Sequence, residues 1–211
     1  MKWSAVLLLG AYHGINPAMG WLFAVALGMQ QGSARGVWRA LPPIALGHAV
    51  SVGAVLVAGA LAQMVVPLAM IKVAVAAVLV AFGIYRLWRH SHPRFGGMQV
   101  GFRDLTTWSF LMATAHGAGL MVLPFVISMS DDVMAAGGGH LHHLAAAGPG
   151  FPWLAALALS VHSLAYLCVL AVTAWIVYRK VGLALLRRAW LNLDWLWAGA
   201  LVATGLCIFF F

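Results

Sequence analysis

The chain contains no glutamate, and only four aspartates stand against twelve lysines and arginines. Charged residues of both signs fill 8% of its 211 positions, where a soluble domain carries about 25%. So little polar surface cannot cover a water-facing fold, which excludes a soluble enzyme, a disordered tail and a nucleic-acid-binding domain. Cysteine is scarce as well. Cys168 and Cys207 both lie inside apolar runs and read neither as disulfide halves nor as zinc-site thiolates, so they say nothing of the compartment.

What is present is apolar: 64% of the residues are hydrophobic and the mean hydropathy is +0.97. This is the composition of an all-α polytopic membrane protein whose first partner is the lipid bilayer. The net charge of +8 is then a matter of orientation rather than of nucleic acid. The first apolar run, from about Trp3 to Met29, is too long for the 7–15-residue apolar core of a signal peptide and reads as a spanning helix.

A span needs roughly 20 apolar residues to cross a ~30 Å hydrocarbon core. Six segments qualify, at about 3–28, 38–63, 66–88, 106–128, 153–177 and 190–211. Arg35, Arg39, Arg86, Arg89, Arg94, Arg103, Arg179, Lys180, Arg187 and Arg188 fall on one set of loops, against Lys2 and Lys72 elsewhere. Positive-inside bias therefore predicts both termini outside the cytoplasm, in a bacterial inner membrane. Six of the ten tryptophans (Trp3, Trp38, Trp88, Trp108, Trp153, Trp190) sit at span ends, as an interfacial belt does. Asp194, near the inner end of the sixth span, reads as an interfacial residue paired with nearby arginines.

That orientation leaves residues 129–152 outside, a Gly/Ala-rich loop carrying Asp131, Asp132, His140, His142 and His143. It reads either as a weak metal-collecting loop or as a polar spacer.

The halves 1–96 and 97–211 resemble each other. AYHGINPAMG in the first span answers ATAHGAGLMVLP in the fourth, and ALGHAVSVGAVLV in the second answers LSVHSLAYLCVLAV in the fifth. Three spans per half is odd, so the second copy enters from the opposite side: a 3+3 inverted repeat, a recurring plan of secondary transporters. His13, His48, His116 and His162 each fall about nine or ten residues into their spans, roughly 15 Å at 1.5 Å per residue, which places all four near the bilayer midplane. Buried ionisable groups at that depth mark a functional site by default. A single histidine there is more simply a ring bonded to a carbonyl, but four level ones, paired by the repeat, point to one shared site.

Around them, Gly14 and Pro17 weaken the first helix, and Asn16 and Pro17 line the break. Met112 precedes His116 by four residues, and Ser51 follows His48 by three, so each pair shares a helix face. Asn16, Pro17, Ser51 and Met112 are the weaker candidates for a substrate path, with freed carbonyls of the break beside them.

Neutral imidazole ligates zinc, nickel, copper and iron, so the leading expectation is a secondary transporter of a transition-metal cation (zinc, nickel, cobalt or copper) rather than an enzyme. The same rings as proton carriers would suit an amino-acid or small-solute exporter. A haem-binding or metal-dependent membrane oxidoreductase is a third reading, because histidines on facing helices can ligate haem axially. Ser160 and Ser163 beside His162 suggest a hydrolase only weakly, since no carboxylate orients the imidazole. The sequence is compatible with a homo-oligomer.

The stretch NPAMGWLFAVALGMQQGSARGVWRALPPIALGHAV, from Asn16 to Val50, resembles the opening of the lysine exporter (LysE) superfamily, with a Gly/Pro break in span one and a glycine-bounded loop around Gly28, Gly32 and Gly36. The resemblance implies the six-span inverted fold and export of an amino acid or of a divalent metal such as cadmium, nickel or cobalt. The chain departs from the amino-acid branch by placing histidines at the breaks. It departs from the nickel/cobalt branch in having Gly-Ile-Asn-Pro, with no acidic residue, after His13.

Overall fold

The computed structural model describes residues 2–62, 65–88, 101–136, 151–181, 199 and 201–206, and all regular structure among them is helical. In chain order the helices are α1 (Lys2–Ile15), α2 (Trp21–Gln30), α3 (Ala34–Ala62), α4 (Leu68–Trp88), α5 (Phe102–Ala115), α6 (Ala118–Ala136) and α7 (Phe151–Ile176). A 3₁₀ turn at Pro17–Met19 joins α1 to α2, a π turn at Val177–Val181 extends α7, and 201–206 is helical.

α3 and the continuous Phe151–Lys180 helix are long and apolar enough to cross a membrane, and the α5–α6 pair, bent by 61°, makes a third candidate. Apolar side chains face outward as well as inward. Val50, Val57 and Leu61 on α3 and Leu157, Leu164 and Val172 on α7 are exposed. A helix apolar all round has lipid, not water, as its natural surroundings. Two, or up to three, candidate spans therefore stand among the described residues. Most of the expected sixth span, with Asp194, lies outside them.

Two expectations need correcting. The first apolar run is not one helix. Pro17 lacks the N–H that would continue α1, Asn16 is extended (φ −68°, ψ 122°), and Gly20 takes φ 125°, so the chain turns through the 3₁₀ segment before α2 begins. The loop expected from 129 onward, in turn, does not start there. No breaker separates Ile127 from Ala136, and α6 runs on through Asp131 and Asp132, both exposed. His140, His142 and His143 lie outside the described residues.

The long helices pair across the two halves of the chain. α1 packs most extensively on α7, and α3 on α5. Small residues set both contacts. A Cβ at Gly10 would run into the His162 carbonyl, and one at Gly14 would come within 2.6 Å of the Tyr166 carbonyl. A Cβ at Gly47 would strike the Thr106 carbonyl. Close backbone approach through small residues is how membrane helices gain packing without a hydrophobic drive from water. Ser109 Oγ donates to the Ile44 carbonyl at 2.6 Å and Ser51 Oγ meets Thr114 Oγ1 at 2.8 Å, fixing α3 on α5 by polar contacts as well.

Candidate functional site

α1 ends at the break that follows His13, α5 ends at the break that begins with His116, and His48 and His162 stand in the middles of α3 and α7. All four side chains are fully buried. The cross-pairing of the helices brings three of the rings together. Ring centroids are 5.6 Å apart for His13 and His48, 5.1 Å for His13 and His162, and 5.3 Å for His48 and His162. His116, buried as completely, stands at the C-terminal end of α5.

The hydrogen bonds assign the tautomers. His13 Nδ1 meets the Leu9 carbonyl at 2.6 Å, His116 Nδ1 the Met112 carbonyl at 2.7 Å, and His162 Nδ1 the Val6 carbonyl at 3.3 Å. A carbonyl only accepts, so each Nδ1 carries the proton and donates. In a neutral ring the lone pair is then on Nε2. An Nδ1–H held on a carbonyl is how proteins orient imidazole ligands. His13 and His116 reach it identically, by bonding the carbonyl four residues back at the end of a half-helix.

His48 differs. Neither of its nitrogens has a hydrogen-bond partner among the described residues, and Nε2 of His162 is likewise buried without one. The His48 ring lies flat on Tyr166, centroids 3.9 Å apart and planes 14° from parallel. An unsatisfied buried polar group costs about 1–3 kcal/mol, so an imidazole with two is a poor choice for packing alone.

The spacing suits ligation, while the present aim of the rings does not complete it. A metal about 2.0–2.1 Å from each donor nitrogen puts the centroids of neighbouring imidazoles about 5 Å apart, as these three are. Yet among the described residues no group of three or more His, Cys, Asp or Glu stands in an arrangement that could hold a metal ion as it is. His48 is nearly parallel to His162, at 14°. Ligation therefore requires its ring to turn off Tyr166.

The weaker candidates have structural work. Asn16 Oδ1 accepts from Ala18 N at 2.9 Å and caps the 3₁₀ turn that Pro17 begins. Ser51 is held by Thr114, and the Met112 carbonyl by the His116 ring and backbone. Two carbonyls of the break are engaged internally: Ile15 accepts from the Trp21 indole at 2.8 Å and Met19 from the Tyr166 hydroxyl at 2.6 Å. Those carbonyls are thus not open to substrate. Asp132 forms an ion pair with Lys2, joining the start of α1 to the end of α6.

Tyr166, Thr114 and Ser109 escaped the sequence reading. A signal for Tyr166 was there: Leu154, Ala158, His162, Tyr166, Leu170 and Ala174 recur every four residues and form the buried stripe of α7. No family model, curated protein or solved structure gives a significant match to the chain.

Proposed function

We propose that the protein is a secondary transporter that moves a transition-metal cation across a bacterial inner membrane through a site made by His13, His48, His116 and His162, with the rings of His13, His48 and His162 as the triangle that holds the ion. One observation carries the reading: three fully buried imidazoles at ligating distance from one another, with Nδ1 pinned to carbonyls in two of them and both nitrogens of the third without partners among the described residues. Six spans as a 3+3 inverted repeat belong to the same proposal. The mutual packing of α1 on α7 and α3 on α5 supports it, as do the matched histidines at two half-helix ends. Export follows the resemblance to the lysine exporter superfamily.

The test is metal binding by the detergent-purified chain, followed by flux into proteoliposomes, with His48→Ala and His162→Ala beside the parent. The proposal expects one ion per chain, lost in both variants, and flux lost with it. Pure solute flux with no bound metal would move the cluster to proton carriage and sink the metal reading.

A further inference from the structure

Resting on the reading of the cluster as a metal site, the geometry points to a monovalent d¹⁰ cation, cuprous copper with silver as its inert analogue, as the ion the site prefers over zinc, nickel or cobalt. The first ground is charge. The cluster is made of neutral imidazole, the chain has no glutamate, and every described carboxylate (Asp104, Asp131, Asp132) is exposed at a helix end. The described thiol, Cys168, is also exposed. No described anion is therefore placed to compensate a bound cation. The cost of bringing an ion into a low-dielectric interior grows with the square of its charge, so a divalent ion meets about four times the desolvation of a monovalent one. Divalent sites usually meet that cost with carboxylate or thiolate.

The second ground is coordination number. The three rings form a nearly equilateral triangle, with centroid separations of 5.1, 5.3 and 5.6 Å. A trigonal ion about 2 Å from three imidazole nitrogens sets centroids about 5.4 Å apart. Cuprous and silver ions accept two or three nitrogen donors, whereas zinc seeks four and nickel and cobalt commonly more. Imidazole ligates copper as it does zinc and nickel, so coordination number rather than donor type makes the distinction: once the His48 ring turns off Tyr166, a three-coordinate ion is complete on the triangle alone.

The experiment is competitive binding to the full-length detergent-purified chain in a Cys168→Ser/Cys207→Ser background, which removes adventitious thiol capture. Silver ion, and cuprous ion under anaerobic conditions against a chromogenic chelator, are compared with zinc, nickel and cobalt. Histidine ¹⁵N spectra report which ring nitrogens shift. The inference expects one silver or cuprous ion per chain, bound at least about tenfold more tightly than any of the three divalent ions, with Nε2 shifts in His13 and His162. His48→Gln, whose amide fits the same space, should lower silver affinity by about tenfold or more while the thermal melt stays cooperative. One divalent ion bound through the histidines with equal or higher affinity overturns this inference and leaves the transport proposal standing. Silver bound without histidine shifts also overturns it. No ion of either charge bound by the parent chain removes both.

Discussion

Replacing His48 with Phe should stabilise the metal-free protein while abolishing its metal binding. His48 is fully buried, and neither of its nitrogens has a hydrogen-bond partner among the described residues. Removing two unsatisfied groups at about 1–3 kcal/mol each returns roughly 2–6 kcal/mol. Phe keeps the face-to-face contact with Tyr166, at 3.9 Å between centroids in the parent, but its larger ring costs about 1–3 kcal/mol in overpacking. The net expectation is a gain of about 1–3 kcal/mol, or a rise in Tm of roughly 2–12 °C at 2–4 °C per kcal/mol. The assay is thermal unfolding in detergent with a strong chelator present, repeated with metal added. Metal should raise the Tm of the parent and leave the variant unchanged. A metal-free variant that melts several degrees below the parent would show that His48 is satisfied where it lies, and the case for a ligand there would fail.

Gly47→Ala drives a methyl into the Thr106 carbonyl between α3 and α5 and should destabilise by about 1–3 kcal/mol. Gly53→Ala on the same helix meets only Leu159 Cδ2, at 3.5 Å, and should be neutral or slightly stabilising; equal losses of Tm for the two would refute the close-packing argument. Tyr166→Phe preserves the stack on His48 but strips the Met19 carbonyl of its 2.6 Å bond, which should cost about 1–3 kcal/mol in a denaturation series. Metal affinity should fall on acidification, because protons and metal compete for the same imidazole lone pairs. Metal retained at every pH down to acid unfolding of the chain would count against histidine ligands.

The helical class was legible because apolar runs of this length leave a chain few other ways to satisfy its backbone in lipid. The four histidines were legible because an imidazole stands out against Ala, Leu and Val, and because the sequence likeness of the two halves gave each a counterpart. Helix pairing was harder to read. That α1 packs on α7 depends on Gly10 and Gly14 meeting particular carbonyls, a property of two surfaces rather than of either sequence. The break after His13 was visible in Gly14 and Pro17, but its consequence was misjudged. Trp21 and Tyr166 reach back to the Ile15 and Met19 carbonyls, so these polar groups serve the fold before they can serve a substrate. Tyr166 was overlooked because a tyrosine in an apolar run looks like packing until its hydroxyl is seen to have a partner.

X-ray absorption on the metal-loaded, detergent-purified chain tests the central claim most directly, because it reports the donor atoms themselves. Coordination by the cluster predicts three or four nitrogen donors about 2.0–2.1 Å from the ion, with the outer-shell pattern of imidazole. A first shell of oxygen or sulfur, or the same nitrogen spectrum in His48→Ala and His162→Ala, would contradict it.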